Sequence, residues 1–389
     1  MSQPATNFET SEGMRNVVSG LMLIGALTLI GGLIQAPTRI WANLLLVSFY
    51  MLCLGLGSLL FIALQFATNA GWSVSLRRVP EAMAQLLPPI GAFVLFVLLV
   101  QPMFLAHTVS HSQAGAMWFK YFWLSRPFLL ARAVTFLALW SIFARIIVGH
   151  SRAQDTDGLA LHTFRSKSWS SVFIIVFALS FSLASFDWIM SIESEWFSTM
   201  FGVYNFAGLI LSSLAAITIF SILLRRHGVL REAVTNEHLH ALGKLLFGFS
   251  SFWMYIWFCQ YMLIWYVNNP EETFYYITRM KGGWLGMFLL DVALNWIIPF
   301  LVLLPRSSKR SEQILLTVSA VILVGRWVDL YVLIFPSFAG AGFPLEIWDF
   351  GMAFGGMGMF LYMYFGILSK TPLLPLKDPL YQESIQHHQ

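Results

Sequence analysis

The chain has 389 residues, 58% of them apolar and only 11% charged, with a mean hydropathy of +0.71, whereas about a quarter of the residues in a soluble domain are charged. This composition excludes an ordinary soluble fold and calls for lipid around most of the chain. The net charge of +4 and pI near 9.1 do not point to a nucleic-acid partner, because no dense basic tract occurs and a basic pI in a membrane protein reflects Lys and Arg gathered in loops on one side.

The first residues, Met1 to Gly13, are polar and carry Glu9 and Glu12. A secretory signal would place positive charge before its apolar core, so the first apolar run is expected to be retained. A spanning helix needs roughly 20 mainly apolar residues, and ten such runs follow: Val17–Ile34, Trp41–Phe66, Ala82–Leu105, Phe128–Val148, Trp169–Met190, Ser198–Leu224, Leu245–Val267, Trp284–Leu304, Ile314–Phe335 and Trp348–Leu368. The expected fold is an all-α polytopic membrane protein. It forms one integral membrane domain, with residues 1–16 and 369–389 outside the spans of 17–368. Helices two to five and six to nine are expected to form two four-helix bundles, flanked by the first and last spans. The longest connections, Gly149–Ser168 and Arg225–Lys244, are about 20 residues each, too short for a soluble domain.

With an even number of spans both termini share a side. That side collects sixteen of the 23 Lys and Arg residues, while six fall on the other and Arg326 lies within a span. The bias predicts a multi-pass protein with both termini in the cytoplasm.

The two cysteines, Cys53 and Cys259, each sit in an apolar run and cannot assemble a disulfide framework or a thiolate-ligated metal cluster. Seven of the nine histidines lie in predicted loops or the tail, leaving His107 and His111 near the far end of the third span. A buried bis-histidine haem needs facing imidazoles at membrane depth, so a cytochrome b is excluded. The sequence has no phosphate-binding GxxxxGK[ST] loop and no HExxH pair, which removes ATP-driven transport within this chain and zinc proteolysis.

Ionisable groups inside a bilayer are costly, so those that persist are candidates for function. Asp291 lies roughly 10 Å along the eighth span and Arg326 at a similar depth in the ninth, and the two are expected to pair. Asp329 follows Arg326 by three residues and Asn295 follows Asp291 by four, so each couple shares a helix face. Tyr255 and Gln260 on the seventh span extend this set towards the outer surface. Two readings stand: a proton relay in which Asp291 or Asp329 titrates under the influence of Arg326, or a structural ion pair that fixes helix register. A second set, Gln101, His107, His111, Arg132 and Asp187, lies near the outer face of the first half. Such donors and bases suit a quinone site, which must accept protons as quinol is oxidised; satisfied interfacial polar groups are the other reading. Pro88, Pro89 and Pro299 should kink the third and eighth spans. Gly351, Gly355, Gly356 and Gly358 should let the last span approach a neighbouring helix or subunit.

Two stretches carry a family resemblance: FDWIMSIESEWFSTMFGVY, Phe186–Tyr204, and FGFSSFWMYIWFCQYMLIWYVNNPEETFYY, Phe247–Tyr276. They resemble the NrfD-like membrane subunits of bacterial alternative complex III, the smaller, ActF-type ones in particular, as does the ten-span layout. The resemblance implies a subunit of a quinol:electron-acceptor oxidoreductase in the bacterial cytoplasmic membrane. Haem c and iron–sulfur clusters would belong to partners: an iron–sulfur subunit, a multi-haem cytochrome c and the larger NrfD-like subunit. In the family such a chain is called a quinone-binding subunit, for which quinol or menaquinol is the candidate ligand, but it is that larger sister that is expected to sit beside the cluster. For this chain the resemblance therefore implies a non-redox subunit that binds no cofactor directly, scaffolds the complex and lends a proton route through Asp291, Arg326 and Asp329. The rival reading is a free-standing secondary transporter, against which few midplane charges and no clear inverted repeat speak. A third is an enzyme working on lipid at the outer surface with Asp187, Glu193 and Glu195.

Overall fold

The computed structural model describes residues 8–100, 118–193, 195–339 and 344–386. Among them no strand occurs, and ten helices are long and apolar enough to cross a membrane: α1 Glu12–Gln35, α2 Pro37–Ala67, α3 Arg78–Val100, α4 Arg126–Asp157, α5 Ala160–Ile192, α6 Phe201–Arg226, α7 Asn236–Val267, α8 Trp284–Leu303, α9 Glu312–Phe338 and α10 Ile347–Leu368. The chain is a polytopic all-α membrane protein. Successive spans alternate in direction, so α1 begins at the face where α10 ends. We call this the terminal face and its counterpart the opposite face.

Helices add polar turns beyond their apolar runs, and these turns consume most of the predicted connections. The stretch expected as a loop over 149–168 is helical except at Gly158 and Leu159. Gly158 ends α4 with φ of 71°, the left-handed conformation that glycine reaches without Cβ strain. The 225–244 stretch is likewise shortened, because Thr235 and His238 cap α7 reciprocally and start it at Asn236.

α2 to α5 pack in a ring, each on the next and α5 back on α2, and α6 to α9 do the same. The two bundles join where α2 meets α6 and α9 and where α5 meets α6, so α2 and α6 are buried along nearly their whole length. In lipid no hydrophobic force drives helices together, and close backbone approach and hydrogen bonds must do so. At the α2–α6 contact Gly57 leaves room for Ser213, whose Oγ donates to the carbonyl of Cys53 at 3.0 Å. The glycines of α10 act within the chain: Gly351, Gly355 and Gly358 face Thr28, Gly25 and Leu21 of α1, and Gly356 faces Val47 of α2.

The prolines break their helices as expected. Pro88 and Pro89 lack the donors that would continue α3, which divides into Arg78–Ala84 and Leu87–Val100. In α8 a π-turn spans Ala293–Ile297, just before Pro299. Pro299 cannot donate to the carbonyl of Asn295 one turn back, and Ser250 Oγ of α7 donates to it instead at 2.6 Å.

Candidate functional site

The second bundle buries six charged or polar groups between α6, α8 and α9: Tyr204, Asn205, Asp291, Asn295, Arg326 and Asp329. Arg326 and Asp329 are three residues apart on α9, each 1% exposed, and form an ion pair in which Arg326 Nη1 donates to Asp329 Oδ2. Tyr204 of α6 donates its hydroxyl to Asp329 Oδ1, and Arg326 Nη2 donates to Asn205 Oδ1 at 3.0 Å. A buried pair offsets its desolvation only when the remaining hydrogen-bonding capacity is met, and α6 meets much of it here. The arrangement needs Gly208 on α6, because a Cβ there would run into the Arg326 guanidinium.

Asp291 is handled differently. It is also 1% exposed, yet among the described residues it forms no ion pair. Its Oδ1 accepts from Asn295 Nδ2 at 2.8 Å. The π-turn sets Asn295 against α9, where Gly325 has no side chain to block it: a Cβ at Gly325 would crowd Asn295 Oδ1 and Leu294 Cβ. The sequence expectation that Asp291 pairs with Arg326 is thus corrected. An i,i+3 partner on the same helix is already within reach, so Asp329 takes the guanidinium and Asp291 is left as a carboxyl without a cation.

Asp291 and Tyr204 line a small cavity that runs towards the opposite face, bounded by Trp257, Gln260, Tyr276 and Arg279. Its volume is about 20 Å³, measured as space open to the centre of a water molecule, which is enough for one water. Gln260 is 4% exposed and its Oε1 has no hydrogen-bond partner. A polar atom so placed in a cavity of this size is suited to bind water.

Arg279, at the end of the short helix Pro270–Arg279, closes the outer end of the cavity. Its Nε donates to the carbonyl of Val332 at 3.0 Å and its Nη2 to that of Leu333 at 3.1 Å, where α9 is interrupted before Pro336, which has no N–H for the Val332 carbonyl. Nη2 also reaches Glu193 Oε1 at 3.2 Å, where Ser337 Oγ donates at 2.8 Å. The guanidinium lies 3.5 Å from the Tyr275 ring, and Trp196 stacks on Tyr275 at 3.8 Å. Burial pushes the Tyr275 phenol up to about 12, and burial also raises that of Tyr276. Both remain neutral hydrogen-bonding groups near neutral pH. Glu193, Arg279, Tyr276, Gln260, Asp291, Tyr204 and Asp329 therefore form a polar series from the opposite face to the buried ion pair.

Of the candidates read from the sequence, Asp291, Asn295, Arg326, Asp329 and Gln260 converge on this region. Tyr255 does not: it is 62% exposed on the outward side of α7. Trp253, Ile256, Gln260 and Ile264 mark the inward face of that helix, and a residue two places from Trp253 is turned about 200° from it. Sequence reasoning missed Tyr204, Tyr276, Arg279 and Glu193 as members. Tyr204 stands in a strongly apolar run, and the Arg279–Glu193 contact links segments 86 residues apart.

The first-half candidates separate. His107 and His111, with Gln101, lie outside the described residues. Arg132 and Asp187 meet as expected, but as a closed ion pair: Arg132 Nε donates to Asp187 Oδ2 at 2.8 Å and Trp123 Nε1 to Oδ1 at 2.8 Å. The guanidinium sits over the rings of Trp123 and Phe128 at 4.1 and 4.6 Å. Arg132 Nη2 is the one buried nitrogen of that group left over as a donor. Each Asp187 oxygen accepts one of these bonds, and Arg132 Nη2 is the donor the pair leaves open.

Another buried carboxylate, Asp349 of α10, was not singled out from the sequence. Arg39 of α2 grips both its oxygens at 3.0 and 2.6 Å, and Asn43 and Tyr331 add donors at 2.8 and 2.9 Å. All its charge is compensated, and it ties α2, α9 and α10 at the opposite face.

Compared with models of protein families and with curated proteins, the chain matches none.

Proposed function

We propose that this chain is a non-redox integral membrane subunit of a quinol:electron-acceptor oxidoreductase of the alternative complex III type, and that it provides a proton route through its second four-helix bundle. The observation that carries the reading is Asp291, a carboxyl buried at membrane depth without a cation and next to a water-sized cavity. Among the described residues an ionised Asp291 would have the Asn295 amide and no ion-pair partner in a low-dielectric site, where a charge without one is costly. Asp329 is held nearby by Arg326 and Tyr204.

The two stretches that carry the family resemblance support the same region. Phe186–Tyr204 supplies Glu193 and Tyr204, and Phe247–Tyr276 supplies Ser250, Trp257, Gln260 and Tyr276, so both contribute to the lining and approach of this one cavity. The neutral phenols, the amide and the space for water are the components a proton relay uses. In this reading electrons pass through partner subunits that carry haem c and iron–sulfur clusters, the membrane is the bacterial cytoplasmic one, and the terminal face is the cytoplasmic side because Lys and Arg gather there. Quinol is assigned to the larger sister subunit, which the family resemblance places beside the iron–sulfur cluster; here Asp187 is already paired with Arg132.

Purification through a tag on this chain in mild detergent tests the assignment. Co-purification of a reducible c-type haem and an iron–sulfur protein is expected. A colourless, monodisperse single chain would overturn the assignment and favour a free-standing transporter.

A further inference from the structure

A second opening lies between α3 and α4 towards the terminal face. It has a volume of about 320 Å³, in the same measure as above, and is lined by Gln85, Pro88, Arg145, Val148, Gly149 and Arg152 among others. Three features of the sequence make it. The break before Pro88 interrupts α3 at Gln85, one of the lining residues. Gly149 presents no side chain, and a Cβ there would meet nothing within 4 Å. Arg145 and Arg152 are seven residues apart on α4 and share a face.

Arg145 and Arg152 place positive charge at this opening. Nearby, Arg78 pairs with both Glu81 and Asp155, which attract Arg152 without pairing with it. Among the described residues neither Arg145 nor Arg152 forms an ion pair, and Arg152 Nε is buried with no hydrogen-bond partner. Two guanidinium groups at the edge of an open cavity suit a phosphate, which they can grip through paired N–H donors.

The surroundings favour a phosphate that carries acyl chains. The lining face of α4 continues through Ala138 and Val134, and that of α3 through Phe96 and Leu99. Val134, Phe96 and Leu99 are 48%, 51% and 42% exposed, so an apolar strip leads from the arginines into the membrane. We propose that this opening is a binding site for an anionic phospholipid, with its headgroup phosphate on Arg145 and Arg152 and its acyl chains along the α3–α4 strip. Basic pockets between spans are a recurrent mode of lipid headgroup recognition. The site is remote from the Asp291 cavity and does not depend on the function proposed above.

The test is native mass spectrometry of the full chain in a phospholipid-free detergent, titrated with phosphatidylglycerol, phosphatidylcholine or inorganic phosphate. One phosphatidylglycerol should be retained in preference to phosphatidylcholine, and Arg145→Gln and Arg152→Gln should each weaken it about fivefold. Gly149→Phe keeps both charges but fills the opening, and should also lose the lipid while the chain keeps its thermal transition. Displacement by inorganic phosphate alone would reassign the arginines to a free anion and overturn the lipid assignment. Equal retention of the two lipids, or retention unchanged in all three variants, would overturn the site.

Discussion

Ser250 donates its hydroxyl to the carbonyl of Asn295 at 2.6 Å, across the α7–α8 contact. Pro299 makes this bond necessary, and Asn295 makes it consequential, since its amide holds Asp291. Ser250→Ala leaves a buried carbonyl without that donor and should cost about 1–3 kcal/mol, read as a lower unfolding temperature in detergent. In a Pro299→Ala background, where the backbone regains an N–H, the same substitution should cost less. Equal costs in both backgrounds would show that the hydroxyl does not substitute for the missing N–H.

The Arg326–Asp329 pair should behave as a unit. Removing one member leaves a buried charge, and such breaks cost about 3–5 kcal/mol, so Arg326→Gln and Asp329→Asn are each expected to be strongly destabilising. The double variant should be more stable than the additive sum. A thermal-unfolding cycle of the four proteins measures this coupling directly.

Gly208 faces the same guanidinium from α6. Gly208→Ala improves helix propensity but collides with Arg326, and overpacking of this kind costs about 1–3 kcal/mol. A loss of stability is therefore expected where propensity alone predicts a gain. Gly149→Ala, which meets open space, is the control and should not lose stability.

Tyr275 gives a pH signature. Its ionisation is pushed up to about 12 by burial, from an ordinary value near 10. The folded state then holds this proton more tightly than the unfolded state does. The resulting stabilisation is complete below pH about 10 and is lost as pH rises from 10 towards 12. Tyrosinate absorbance should show a component from Tyr275 that develops between pH about 10 and 12, as the protein loses stability. Tyr275→Phe should remove that component and leave the change from the other buried tyrosines, Tyr276 among them, in place.

The ten spans were legible because each must satisfy its own backbone within an apolar run, a requirement local to the sequence. The exact ends were less so: polar turns of α4 and α5 look like loop until Gly158 stops them. Asp291, Asn295, Arg326 and Asp329 were visible as ionisable or amide groups where lipid makes them costly. Their pairing was not, because depth along two helices leaves rotation about each axis open, and the i,i+3 geometry of Arg326 and Asp329 decided it. Tyr255 could have been excluded from the periodicity of Trp253, Ile256 and Gln260. Arg279 and Glu193 could not have been joined, since only the tertiary fold brings the Pro270–Arg279 helix beside the end of α5.

On the function proposed above, Asp291 carries protons and takes no part in electron transfer. The most direct test is Asp291→Asn in the intact complex, reconstituted in vesicles, with quinol oxidation and proton translocation measured together. The account predicts a sharp fall in protons moved per electron, with quinol oxidation largely retained. An unchanged ratio, or equal loss of both activities, would contradict it.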